Sequence, residues 1–131
     1  RGAVLVAAAG NEGRSDGLYF PAAIDAVISV GGADASGRLA WFSNSGPGLD
    51  VVAPAVGITS ASGSGEAMLG NGTSHATAIT SGVVAYGLGS HLTGPNGAGR
   101  WLAGNTSPLD PSLGLGNLGM VHVPGARGGR R

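Results

Sequence analysis

Asn71-Gly72-Thr73-Ser74-His75-Ala76-Thr77-Ala78-Ile79-Thr80-Ser81-Gly82-Val83-Val84-Ala85 is the stretch that decides how this chain is read. After the turn at Gly72 come only small, apolar or hydroxyl-bearing residues and one histidine. No Asp, Glu, Lys or Arg occurs between Glu66 and Arg100. A helix that is apolar nearly all round is a buried one. The stretch therefore predicts a buried helix whose first residues sit at a rim, where the core meets solvent. Serine and threonine at a helix start accept hydrogen bonds from otherwise unpaired backbone N–H groups. Thr73 and Ser74 thus read first as caps. The same position has a chemical use, because the helix dipole and free N–H groups favour negative charge there. The helix is expected over about residues 73–86, closing at Gly87 or Gly89. Gly82 inside it costs up to about 1 kcal/mol relative to alanine, which predicts close packing of another backbone at that point.

On either side, short apolar runs alternate with glycine turns. Residues 3–8 read as a buried strand of a parallel sheet, turned by Gly10-Asn11-Glu12-Gly13. Asn11 has two readings: an ordinary turn residue tolerant of left-handed geometry, or an amide aimed into a cleft. A dinucleotide site is excluded, since no three-glycine fingerprint opens a helix after this strand. Residues 27–30 and 50–53 read as two further strands, the second stopped by Pro54. Residues 38–42 and 57–60 read as short extended pieces, with Trp41 and Phe42 as packing residues. Residues 61–65 read as a small-residue loop, and residues 66–69 as the lead into the helix. Past Leu92 the pattern weakens to a helical stub at residues 101–103 and a last turn and strand at residues 115–123.

With 131 residues, the chain is one domain at most. Glycine and proline, 27 and 7 residues, make up about a quarter of it, near the level where disorder sets in. Here, though, the glycines punctuate apolar runs. Seven basic residues, all arginine, balance seven acidic ones. That leaves no basic footprint for nucleic acid. The terminal Arg127-Gly128-Gly129-Arg130-Arg131 reads as a disordered basic tail. There is no cysteine, hence no disulfide or thiolate metal site, and either an oxidising or a reducing compartment is compatible. The longest uncharged run holds too many Thr, Ser, Gly and His residues to span a membrane. No secretory leader pattern is visible.

Gly72-Thr73-Ser74-His75-Ala76-Thr77 with Ser81-Gly82 resembles the nucleophile motif of the subtilases, the subtilisin-like serine proteases. Ala7-Ala8-Ala9-Gly10-Asn11-Glu12-Gly13 resembles that family's oxyanion-hole segment. Tyr19-Phe20-Pro21-Ala22-Ala23, Val27-Ile28-Ser29-Val30-Gly31, Phe42-Ser43-Asn44-Ser45-Gly46 and Asp50-Val51-Val52-Ala53-Pro54 match intervening segments in family order. The resemblance covers residues 3–88 well and the rest loosely; residues 114–119 are vaguely similar to the family's closing glycine segment. It implies an α/β, partial subtilisin-like fold: a mostly parallel sheet with a buried central helix starting at Ser74. Residues 1–90 would form the C-terminal half of a subtilase catalytic domain, and residues 91–131 a weakly patterned extension.

The implied chemistry is peptide-bond hydrolysis through an acyl-enzyme at Ser74, with Asn11 in the oxyanion hole. Ala8, Ala9 and Gly10 would line one wall of the substrate cleft. Such hydrolysis also needs a base and a group to orient it. Family members carry an Asp and a His well upstream of the oxyanion asparagine, and no segment here resembles those motifs. His75 adjoins Ser74 on the helix and projects in a different direction; His91 and His122 lie beyond the helix. The partners expected are thus a polypeptide substrate and an upstream segment or separate chain carrying the Asp and His. No cofactor is expected, and no metal, since no acidic cluster has the spacing of a calcium loop. A secreted or extracytoplasmic location follows from the resemblance alone. His75, Ala78 and Ile79 depart from the Met and Pro-His residues common in the family, which affects the shape of the pocket.

A parallel sheet needs cover on both faces, and one convincing helix for three strands predicts a bare face. The chain is therefore expected to be a fragment of something larger. Two alternatives stand beside the protease reading: a non-catalytic remnant that keeps a peptide-binding cleft, and an unstable truncated product.

Overall fold

The computed structural model describes residues 2–109, 112 and 118–122. Among these residues, seven strands and two α-helices follow in order: β1 Leu5–Ala8, β2 Val27–Ala33, β3 Val51–Pro54, β4 Ile58–Ala61, β5 Ala67–Gly70, α1 Thr73–Gly89, α2 Ala98–Ala103 (preceded by a 3-10 turn at Pro95–Gly97), β6 Thr106–Pro108 and β7 Gly119–Val121. Five of the strands form one sheet in the order β1-β2-β3-β7-β6. The β1–β2, β2–β3 and β3–β7 pairs are parallel, and β6 closes the sheet antiparallel to β7. The α/β architecture with a mostly parallel sheet is the one the sequence predicts.

The longest strand of the sheet, β2, lies between β1 and β3 and is buried along its whole length. A strand flanked by partners and covered on both faces reads as continuous apolar and small residues, as Val27–Ala33 does. On one face lies α1, which buries Thr73, Ala76, Thr80, Val83, Val84 and Gly87. These meet Ile28, Val30, Val51, Ala53 and Leu102 in the main core. The other face is covered too, which corrects the expected bare surface. Leu18 and Ala22 pack over Ala7 and Val27, and Leu39, Leu49, Leu109 and Leu118 over Ala33 and Val52. Loops supply this cover, so counting helices could not reveal it. What stays open is the edge of the sheet, where Leu5 on β1 is 57% exposed, together with the outer face of α1.

Several local expectations are revised. Residues 61–69 are not simply a loop and lead-in: β4 and β5 pair antiparallel as a hairpin, Ile58 opposite Gly70 and Ala61 opposite Ala67. Residues 38–42 contribute only a bridge from Leu39 to Ala33 before turning. Phe42 is buried, but Trp41 is 85% exposed and rests edge-on against Phe42, ring centroids 5.3 Å apart. The expected stub at residues 101–103 is the end of α2. Residues 114–117 and the 127–131 tail lie outside the described residues.

The close approach expected at Gly82 is found one turn on, at Gly87. A Cβ on Gly82 would meet nothing within 4 Å, whereas one on Gly87 would lie 2.6 Å from the Trp101 ring. Helix α2 docks there, and a bare α-carbon admits the indole. The two glycines should therefore respond with opposite sign. Gly82→Ala should raise stability by up to about 1 kcal/mol through helix propensity. Gly87→Ala should lower it by about 1–3 kcal/mol through overpacking. Urea midpoints measure both, and a Gly87→Ala midpoint at or above wild type would contradict the packing argument.

Candidate active site

In open α/β sheets, functional groups gather beyond the carboxyl ends of the strands, and so they do here. The chain leaves β1 into the Ala9–Arg14 turn and leaves β3 toward Ala55. Ala55 O accepts the Gly72 N–H at 2.9 Å, and Gly57 N–H donates to Asn71 Oδ1 at 2.7 Å. These bonds tie the start of α1 to the sheet edge beside the β1 turn.

At the helix start the expected capping is absent. The N-cap residue is Gly72, which has no side chain to cap the helix. The Thr73 hydroxyl points elsewhere. Its Oγ1 donates to Asn11 Oδ1 at 2.9 Å, and the Thr73 backbone N–H donates to the same oxygen at 2.8 Å. Thr73 is fully buried, so Asn11 satisfies two donors that would otherwise be orphaned. Two donors on one atom also decide which end of the carboxamide is oxygen. Nδ2 is left free, and among the described residues it has no hydrogen-bond partner.

Ser74 follows directly, exposed at the surface, and its Oγ makes no hydrogen bond among the described residues. The point a Cβ on Gly72 would occupy lies 3.2 Å from Ser74 Oγ and 3.7 Å from Asn11 Nδ2. A hydroxyl and an amide donor thus flank Gly72 at the start of a 17-residue helix. A nucleophile beside convergent donors can attack a carbonyl and hold the oxyanion that results.

Of the wall residues, Ala8 and Gly10 are half-buried and reach the surface, while Ala9 is fully buried. The Ala9 N–H goes to Val30 O at 2.9 Å, and its carbonyl accepts Tyr19 N–H at 3.1 Å. None of the three histidines makes a hydrogen bond to Ser74 among the described residues. The His75 ring lies against Gly70, His91 sits past the helix end with φ 56°, and His122 Nδ1 is 3.4 Å from Ser107 Oγ. Beyond the turn, Arg14 makes a two-pronged ion pair with Asp16 at 3.0 and 3.2 Å. That hydrogen-bonded contact holds the Asp16 carboxyl below its usual range.

Sequence reasoning assigned no role to Asn44 or Glu12. Asn44 is fully buried and bonds across to the turn that carries Asn11. Its segment, residues 42–46, was matched as a unit, but an asparagine between serines reads locally as a turn residue. Nothing local says that its carboxamide faces inward.

Fold and site together define an open, mostly parallel α/β protein with a serine at the start of a central helix. The chain belongs to the subtilase family of serine proteases, whose sequence pattern it matches over residues 1–94. It is 36% identical over 128 residues to subtilisin from Bacillus pumilus, covering 95% of this chain and 46% of that protein. It is 45% identical over 86 residues to the subtilisin-like proteinase Mp1 of Magnaporthiopsis poae, covering 63% of this chain and 21% of that one. Among solved structures, the prenylagaramide maturation protease PagA superposes with a TM-score of 0.81 at 29% identity, over 92% of this chain and 48% of that one. The chain thus spans less than half the length of these relatives.

Proposed function

We propose that this chain supplies the nucleophile half of a serine endopeptidase active site. Ser74 Oγ attacks the scissile carbonyl and forms the acyl-enzyme. Asn11 Nδ2 and the Ser74 backbone N–H at the start of α1 hold the oxyanion. Ala8 and Gly10 line one side of the substrate cleft, with Ala9 bracing it from behind. The observation that carries this reading is the double hydrogen bond from Thr73 to Asn11 Oδ1, which leaves Asn11 Nδ2 free beside Ser74. A turn residue with no role would not need a buried threonine to orient its amide.

The base and the acid that orients it come from a segment outside these residues, upstream or on another chain. Two features support such a partner. Among the described residues, no strand pairs with the outer edge of β1. Beside it, Leu5, Val6, Ser81, Val84, Ala85 and Leu88 form an apolar groove of about 400 Å³ between β1 and α1. An added strand pairing with β1 and an apolar element in the groove would cover both. Once seated, the partner's imidazole takes the Ser74 proton and returns it to the leaving amine.

The test is intact mass after treatment with a fluorophosphonate serine probe, on the chain alone and with the native upstream segment added. The expected result is labelling at Ser74 only when the segment is present. Labelling of the chain alone would mean a base among His75, His91 and His122. No labelling in either case would favour the alternative of a non-catalytic, peptide-binding remnant. That alternative draws on the one observation that Ser74 Oγ has no partner among the described residues.

A further inference from the structure

The Ala9–Arg14 turn that carries Asn11 has few ties to its own strand. Backbone bonds tie it to the 42–45 segment, Gly13 N–H to Phe42 O and Ser45 N–H to Arg14 O, each at 2.7 Å, and one buried side chain of that segment adds most of the rest. Asn44, 0% exposed, accepts the backbone N–H groups of Glu12 at 3.1 Å and Arg14 at 3.0 Å on Oδ1. Its Nδ2 donates to Ala9 O at 3.2 Å and to Glu12 Oε2 at 2.9 Å. Its own backbone N–H donates to Gly10 O at 3.0 Å. All four donor and acceptor sites of the carboxamide are used, and the bonds reach Ala9, Gly10, Glu12 and Arg14. Gly13 N–H goes to Phe42 O instead, and Asn11 is held at one remove: its backbone N–H donates at 2.9 Å to the same Glu12 oxygen that Asn44 grips. The fit is close at Gly10, where φ is 113° and any Cβ would run into Asn44 Nδ2.

From this arrangement we propose that Asn44 is a positioning residue for the oxyanion donor. Its carboxamide sets the turn, the turn sets the Asn11 α-carbon, and Thr73 sets the Asn11 carboxamide. Two independent anchors on one short side chain leave Nδ2 little freedom over Ser74. An oxyanion donor works because it is aimed before charge develops, and a displacement of about 1 Å is enough to lose about 10²-fold in rate. This inference rests on the roles proposed above for Ser74 and Asn11.

Asn44→Asp is the informative variant in the completed catalytic domain. It keeps the volume and the acceptor for Glu12 and Arg14, but turns an acceptor oxygen toward Ala9 O and the Glu12 carboxylate. Asn44→Ser, which keeps one acceptor and admits water, covers the case that the buried carboxylate unfolds the turn. For either variant, kcat should fall about 10–100-fold with KM within about threefold. Hydrogen exchange at the Glu12 and Arg14 amides should quicken while the α1 amides keep wild-type protection. The decisive arm is the double variant with Asn11→Ala. A residue acting only through Asn11 should lower kcat no further there, whereas a general structural defect would multiply. Unchanged kcat in the single variants, or a multiplied loss in the double, would overturn the inference. If the wild-type domain turns over and Ser74→Ala does not, such results fall on Asn44 alone. A wild-type domain without turnover would overturn the assignment of Ser74 and Asn11, and this inference with it.

Discussion

Ser74→Ala in the completed catalytic domain should lower turnover by about 10⁶-fold, the loss subtilisin itself shows when its serine is removed. Stability should be untouched. Ser74 is exposed, so truncating it opens no buried cavity. Its Oγ has no hydrogen-bond partner among the described residues, so no donor or acceptor loses a partner. Substitutions at such positions stay within about 0.5 kcal/mol of wild type. The comparison of turnover with melting temperature is therefore clean. Full turnover in Ser74→Ala would end the proposed assignment, whereas a large drop in melting temperature would mean that the side chain has a structural role the geometry does not show.

The second large effect is at Asn11, where two substitutions separate two jobs. Asn11→Ala removes both the Nδ2 donor and the Oδ1 acceptor. Turnover should fall about 10²–10³-fold, a magnitude carried over from the equivalent donor in subtilisin. The domain should also lose about 1–3 kcal/mol, because the buried Thr73 hydroxyl and N–H are orphaned. Asn11→Asp keeps an acceptor for both Thr73 donors and so keeps stability. It replaces the free donor with a negative charge facing a developing oxyanion, so its turnover should fall at least as far. In both variants KM should stay within about threefold, because the interaction matters in the transition state. Equal turnover in Asn11→Asp and wild type would show that Nδ2 stabilises nothing.

These variants bear on how much of the molecule was legible beforehand. Three strands were: short apolar runs between glycine turns suit buried strands, and β1, β2 and β3 fall where the pattern puts them, within three residues at either end. The helix was legible as well, because a long uncharged run without proline has no other compact use. The cover on the second face of the sheet was not. It comes from Leu18, Leu39, Leu49 and Leu109, single apolar residues in irregular segments with no period to read. Of the hairpin, β4 is legible as the extended piece at residues 57–60, but its partner β5 is not: Met68 and Leu69 are both exposed, so that strand shows no alternation of apolar and polar residues.

At the site, Asn11 and Ser74 stand out by their sequence neighbourhoods, each beside a glycine turn and each in a segment resembling the same family. The sequence by itself determined the first three strands, the uncharged central helix, and the placing of Asn11 and Ser74 beside glycine turns. Only the tertiary structure decided what those two residues face. Thr73 reads as a helix cap because capping is the strongest local use of its hydroxyl, yet its partner is Asn11, 62 positions away. Asn44 reads as a turn residue, yet its carboxamide is shared among backbone groups 30 to 35 positions away. The reason is physical: a hydrogen bond goes to whichever unpaired group the fold brings within 3 Å in a place water cannot reach. In a parallel sheet that group is chosen by which strands end side by side.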